Sequence, residues 1–271
     1  MTISVIIPAF NSSATIAKSL QSLLNQSIKA SQIIVVNDGS TDKTAKIVKG
    51  FNQVKLINQI HQGPGAARNL GAKIAKGKIL VFVDADMEFD LDFLAQLTRP
   101  IRSKKAKGSW SGNEWVKNWH NVWARCANYN QNRTSSRMTS SYQGQKKVFR
   151  AVLKSEFTKV HGFDNIGYND DWTLVNKLGY QPKTTLAKFY HHHPDSLLKV
   201  YKKALWIGKR NYKLKTLGTL IAIFRANTAF SVIIGLYKSI KHLTPAFLPF
   251  KLVYDLGIMA GAISSLSGKK Y

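Results

Sequence analysis

An apolar run from Ile79 to Val83, introduced by Gly77, ends in two carboxylates with one residue between them, Asp84 and Asp86. The run reads as a fully buried strand, so both aspartates emerge at its C-terminal edge and can turn toward one crevice. Two hard oxygen donors without a nearby cysteine suit Mg²⁺ or Mn²⁺, ions that commonly bridge to substrate phosphates. A strand-end turn capped by the same aspartates has the same short pattern. A third carboxylate, Asp38, ends another apolar run in VNDGSTD. It can accept hydrogen bonds from a nucleotide base or ribose. Alternatively, Asp38 or Ser40 caps a helix starting near Thr41. Of the consecutive His191, His192 and His193, one can supply a nitrogen ligand or touch a phosphate. His193 or His191 is favoured for that role, and the others for capping a helix near Ser196. His61, His120, His161 and His242 lack ligand spacing and read as structural.

These groups need elements to hold them, and the first hundred residues alternate strand and helix as a parallel sheet requires. Strands are expected at Ile3–Ile7, Gln32–Val36, Val54–Ile57 and Ile79–Val83, with helices at Ser13–Leu24, Thr41–Phe51 and Gly65–Ala75. Ligands of such sheets collect beyond the carboxyl ends of the strands, where Asn11, Asp38, Asp84 and Asp86 all fall. Further on, Asn113–Asn128 reads as a helix carrying Trp115, Trp119 and Trp123 on one face, either as core or as an acceptor groove. Asn128–Lys147 reads as a long polar loop.

Forty Lys and Arg against fourteen Asp and Glu give a formal net charge of +26, which calls for an anionic partner. The single cysteine, Cys126, excludes an internal disulfide and fits a reducing compartment. The chain enters its first strand directly, without a secretory signal pattern, so the catalytic part is expected to face the cytoplasm.

Four motifs occur in order: IPAFN (7–11), VVNDGSTD (35–42), GPGAARNLG (63–71) and VFVDAD (81–86). They are followed by VFRAVLKSEFTKVHGFDN (148–165), YNDDW (168–172) and HHHPDSL (191–197). Over roughly residues 3–210 the chain resembles family-2 glycosyltransferases of the GT-A fold. The resemblance implies an α/β protein with a mostly parallel central sheet flanked by helices. It implies an inverting, metal-dependent transfer of sugar from a nucleotide-diphosphate donor, of UDP or GDP type, with Mn²⁺ or Mg²⁺ as cofactor. Pro8, Ala9 and Asn11 would line the nucleobase pocket and Asp38 would bond the base or ribose. Arg68 would approach the diphosphate. Asp84 and Asp86 would hold the metal, Asp86 more directly, with His191 or His193 as a further ligand. Asp171 would be the general base and Asp170 would orient it or the acceptor. The Gln-x-x-Arg-Trp motif of processive members is missing, which implies one sugar transferred per encounter.

The organisation expected is a nucleotide-sugar-binding half at 1–100, an acceptor-binding half at 101–195, and a C-terminal extension of basic and apolar helices at 196–271. Placing Lys199–Lys213 on a helix gathers Lys199, Lys202, Lys203, Lys209, Arg210 and Lys213 on one face, with Trp206 among them. Leu217–Leu236 and Ala246–Leu266 are apolar and near the roughly 20 residues of a span. Arg225 in the first, and Lys251 with Asp255 in the second, argue for helices lying in the cytoplasmic leaflet of an anionic membrane rather than a spanning hairpin. A lipid-linked or glycan acceptor follows from that membrane signal. The competing readings are a nucleotidyltransferase, which needs a lysine in the Gly-rich loop where Arg68 stands, and a basic nucleic-acid-binding protein. No nucleic-acid partner is expected, because the basic stripe adjoins apolar helices.

Overall fold

A computed structural model describes residues 1–138, 147–166, 170–210, 212 and 214–266, in two compact units. The first comprises Met1–Trp115 with Ser141–His191, the second Val116–Ser140 with His192–Tyr271. Part of the long polar loop, Tyr168 and Asn169 of the acidic motif, and Lys213 lie outside the described residues.

The first unit opens with β1 (Ile3–Ala9), α1 (Ile16–Leu24), β2 (Gln32–Asp38), α2 (Thr44–Lys49), β3 (Val54–Gln59), α3 (Pro64–Ile74) and β4 (Ile79–Phe82). These four strands pair in parallel in the order β3-β2-β1-β4. Successive strand residues point to opposite faces, and both faces are covered, which is why the strands are apolar without alternation. Val5, Ile7, Val35 and Val81 join the side chains of α1 in one core, while Ile6, Ile34, Val36 and Leu80 join Ala67 and Ala72 of α3 in the other.

The chain continues through β5 (Met87–Phe89), α4 (Phe93–Arg102), β6 (Gly108–Ser111), β7 (Glu114–Val116), α5 (Val122–Asn130), β8 (Ala151–Leu153), α6 (Lys154–Lys159), α7 (Asp171–Leu178), β9 (Lys183–Thr185) and β10 (Phe189–His191). Strand β8 adds antiparallel to β4, then β6 and β9 complete a seven-stranded sheet, β3-β2-β1-β4-β8-β6-β9. A small second sheet has the order β5-β10-β7. Its β5–β10 pairing places His191 opposite Met87, directly after the aspartate pair. The mostly parallel α/β architecture is the one expected.

The helix expected at Asn113–Asn128 forms only from Val122 onward. Trp115 lies in β7, with its indole nitrogen donating to Asn113 Oδ1 at 2.9 Å, and Trp119 lies in a turn. Helix α5 begins only at Val122, where the Asn121 side chain accepts from the backbone N–H groups of Trp123 and Ala124. Asparagine at this position stops a helix from extending upstream, so the four-residue tryptophan spacing is not a helical face.

The second unit contains α5 and then α8 (Leu197–Gly208), α9 (Lys215–Arg225), α10 (Thr228–Lys241) and α11 (Phe247–Leu266). The basic helix therefore stops short of its expected end. The first apolar segment breaks at Asn227, whose side chain caps α10 by accepting from Phe230 N at 3.0 Å, and α9 and α10 meet at 60°. Helix α11 is long and apolar enough to cross a bilayer, yet 39% of it is buried within the protein. It packs on α8, α10, α9 and α5. Its Asp255 is buried, paired with Lys251 at 2.7 Å and accepting from Ser231 Oγ at 2.6 Å, so the two charges that argued against spanning in this segment neutralise one another inside the unit.

Candidate active site

All of the acidic cluster belongs to the first unit and to the carboxyl edge of its sheet. After β4 the chain turns, with Met87 N donating to Asp84 O at 3.2 Å, so Asp84 and Asp86 both stay at the rim. His191, delivered by β10, brings its Nε2 to 3.7 Å from Asp86 Oδ1. One ligand atom each from Asp84, Asp86 and His191 lies within 4.8 Å of the others. The opposite imidazole nitrogen, Nδ1, is paired with the carboxylate of Glu114 on β7. Burial opposes charge on His191, but Glu114 and then Asp86 outweigh it and raise its pKa. A carboxylate behind a histidine also fixes which nitrogen faces a metal. Two carboxylates and one imidazole form a mixed oxygen–nitrogen set of metal-ligand type.

Arg68 knits this cluster to the acidic motif. Helix α3 is preceded by Gly63 at its N-terminal cap position, whose φ of +93° suits glycine, and opens with Pro64 in the first turn. One turn later Arg68 projects inward. Its Nη2 donates to Asp84 Oδ1 at 2.6 Å, and its Nη1 to both oxygens of Asp170, at 2.7 and 2.8 Å. Burial works against the charged Asp84, yet Arg68 and Arg150 hold its carboxyl at about 2. Burial pushes Asp170 up to about 6, with Arg68 opposing and the neighbouring Asp171 adding to the rise. Asp171 is also raised, chiefly by burial, and makes no ion pair among the described residues. Arg150, just before β8, packs over the Phe189 ring at 4.8 Å and reaches 3.9 Å from Asp84 Oδ2.

Upstream of α3, a second group of contacts is built around Asp38. Its Oδ1 accepts from Gln59 Nε2 (2.6 Å) and Gln62 N (2.8 Å), and its Oδ2 from Gly63 N at 2.9 Å. His61 Nδ1 also lies 2.9 Å from Oδ2. Asp38 thus braces the turn that launches α3. The helix at Thr44 is served instead by Asp42, which accepts from Thr44 N at 2.9 Å and from Ser13 N at 3.0 Å. Asn11, at φ +47°, accepts from Thr41 N at 2.9 Å and ties the end of β1 to the loop after β2. Pro8 and Ala9 close β1 beside Val36 and Asn37. Half-exposed Phe10 stacks on His61 with ring centroids 4.2 Å apart.

Arg68, Asp84 and Asp170 are therefore joined directly, and Asp86 with His191 stands beside Asp84. Asp171 follows Asp170 into α7. His193 is engaged within the second unit: its Nε2 lies 3.1 Å from Asn128 Oδ1, and its backbone pairs with the Asn118 amide. Sequence reasoning missed Glu114, Arg150, Phe10 and His61. Glu114 sits in no motif and His61 read as structural, while Phe10 and Arg150 lie inside the motifs 7–11 and 148–165 without an assigned role; strand pairing and turn closure give them their places.

The family model for glycosyl transferase family 2 matches residues 4–157, more than half of the chain. A glycosyltransferase of Haemophilus influenzae is 28% identical over 243 residues, covering 82% of this chain and 92% of that protein. Glycosyltransferase GlyA of Streptococcus pneumoniae is 37% identical over 103 residues, 36% of this chain but 15% of GlyA. Among solved structures, S. aureus TarS 1–349 in complex with UDP aligns with a TM-score of 0.55 at 16% identity, covering 99% of this chain and 92% of that one. Glucosyl-3-phosphoglycerate synthase of Mycobacterium tuberculosis aligns with a TM-score of 0.53 at 18% identity, covering 76% and 78%. With Asp38, Arg68 and the Asp84–Asp86 pair all inside the matched residues, the chain belongs to glycosyltransferase family 2.

Proposed function

We propose that this glycosyltransferase moves a sugar from a nucleoside-diphosphate donor of UDP or GDP type to an acceptor hydroxyl or phosphate with inversion, aided by a divalent cation. The observation that carries the reading is Arg68 bonded at once to Asp84 and Asp170, which puts the metal-type aspartates and the acidic motif in one cluster. Asp84, Asp86 and His191 would hold Mn²⁺ or Mg²⁺, with Glu114 orienting the imidazole; His193, bonded to Asn128, is the weaker candidate. A cation held there supplies Lewis-acid stabilisation of the departing diphosphate. Asp170 has both oxygens committed to Arg68, which suits a positioning role. Asp171, not so committed, is the base that removes the acceptor proton as the sugar is attacked from the face opposite the leaving group. Pro8, Ala9, Asn11 and Asp38 form the base-binding end. Asp38 reaches a nucleobase by giving up a side-chain donor, Gln59 or His61, while its backbone partners remain.

The acceptor reading rests on the second unit. Leu217, Leu220 and Phe224 of α9, with Phe230, Ile233, Leu236 and Ile240 of α10, are exposed, Phe224 at 64% and Ile240 at 75%. Large exposed apolar side chains on two helices that also expose Lys215, Arg225 and Lys241 suit the interface of an anionic bilayer. Helices lying in the cytoplasmic leaflet, rather than a spanning hairpin, and a lipid-linked or glycan acceptor, are the corresponding assignments.

The test is release of nucleoside diphosphate from a panel of UDP- and GDP-sugars with Mn²⁺ or Mg²⁺. Asp86→Ala should abolish cation-stimulated turnover, and Asp171→Asn should lower it about 10²–10⁴-fold. Undiminished turnover in Asp86→Ala overturns the cation site. Undiminished turnover in Asp171→Asn moves the base to Asp170.

A further inference from the structure

Arg150 lies in the segment 148–165, where the resemblance gives it no role, and it is not one of the metal-type ligands Asp84, Asp86 and His191. Its backbone is pinned at the rim of the sheet: Phe82 N donates to Arg150 O at 2.8 Å, and Arg150 N donates to Ser109 O at 3.1 Å. The side chain therefore starts beside the end of β4, where Asp84 follows. The Phe189 ring, 4.8 Å below the guanidinium, keeps it from folding away. Its one acidic neighbour within 4.0 Å among the described residues, Asp84 Oδ2, stands at 3.9 Å, too far for a hydrogen bond. The other Asp84 oxygen is already taken by Arg68 at 2.6 Å. Arg150 Nε is buried and has no acceptor among the described residues. Buried donors are seldom left in that state, so the fork awaits an oxygen-rich group. Its charge is felt at Asp84, Asp171 and His191, which places it against both the cation cluster and the proposed base.

We propose that Arg150 binds the diphosphate of the donor directly, taking part of the leaving group's negative charge alongside the cation held by Asp84, Asp86 and His191. A planar guanidinium with spare donors matches phosphate oxygens in a two-pronged fashion, which a lysine cannot reproduce. The loose contact with Asp84 is then the resting position of the fork. This rests on the reading that the donor is a nucleoside diphosphate sugar.

Isothermal titration with UDP and GDP, and with uridine and guanosine as controls, separates the possibilities. Wild type, Arg150→Met and Arg150→Lys are titrated in EDTA and again with Mn²⁺, after thermal melts establish that each is folded. In EDTA, where no cation can mediate the effect, Arg150→Met should weaken diphosphate binding about ten- to hundredfold, the loss of a charge-assisted contact. Nucleoside binding should stay within twofold of wild type, and Arg150→Lys should fall in between. Unchanged diphosphate affinity in EDTA, with Mn²⁺ bound more tightly, would show that Arg150 only neutralises Asp84 and overturns the proposal. Should Arg150→Met not fold, Arg150→Lys decides: a diphosphate-to-nucleoside affinity ratio equal to wild type overturns it. Failure of wild type to bind either diphosphate would instead sink the donor reading, and this inference with it.

Discussion

At the scale of single residues, the cluster is a problem in charge compensation. Asp84, Asp86, Asp170, Asp171 and Glu114 crowd around Arg68, Arg150 and His191. Carboxylates so close cannot all stay ionised with ordinary affinities. Burial carries Asp170 up to about 6 and Asp171 in the same direction. A raised carboxyl takes its proton at higher pH than usual, so turnover should fall on the acid side at a pH above the ordinary carboxylate range, as Asp170 takes its proton at about 6 and Asp171 shifts in the same direction. A pH–rate profile of kcat/KM checks this, and an acid limb near the ordinary carboxylate range of about 4 would contradict it. Glu114 acts through His191. Glu114→Gln should weaken Mn²⁺ binding about 10–100-fold, as removal of a histidine's outer partner commonly does, with Mn²⁺ affinity read by titration calorimetry.

At the scale of elements, close backbone approach sets the second unit. A Cβ on Gly261 of α11 would meet the carbonyl of Leu205 and come within 2.9 Å of Gly208 Cα, both on α8. Both obstacles are backbone, so neither can rotate aside. Gly261→Ala should therefore cost about 1–3 kcal/mol by forcing α8 and α11 apart, seen as a lower melting temperature. An unchanged melting temperature would mean that the helices separate freely. The same scale explains the misread tryptophans. Spacing of four is a helical signal only if the backbone is helical, and Asn121 fixes the helix start at Val122.

At the scale of the whole molecule, the +26 charge and the exposed faces of α9 and α10 act together. On the interfacial reading, basic side chains would draw the protein to an anionic surface, each by about 1 kcal/mol near the leaflet, and apolar side chains would hold it there. Sedimentation with phosphatidylglycerol vesicles should recover the protein at low salt, and phosphatidylcholine vesicles should recover much less. Replacing Phe224 and Ile233 with serine should lower recovery at about 0.5 M salt, where screening leaves the apolar term dominant. Recovery insensitive to both lipid charge and these substitutions would argue against the interfacial reading.

Much of the first unit was legible in one dimension because its signals are local. Apolar strands, glycine turns and aspartates at strand ends each report on a few neighbouring residues, and they placed β1 to β4, α3, Asp84 and Asp86. The long-range partners were not legible. Glu114 meets His191 across 77 positions through the β5-β10-β7 sheet, and Arg150 reaches Asp84 only because β8 runs antiparallel to β4. Composition alone determined that the protein is basic and carries apolar C-terminal segments. Which of those segments is core and which is exposed was decided by tertiary packing, since α11 buries Asp255 against Ser231 of α10, while Lys215 and Arg225 of α9 and Lys241 of α10 face outward with their leucines and phenylalanines and Lys238 of α10 turns in to the Tyr129 and Asn130 carbonyls. Local pattern specifies an element and its apolar side chains; only the pairing of distant elements specifies which charges meet.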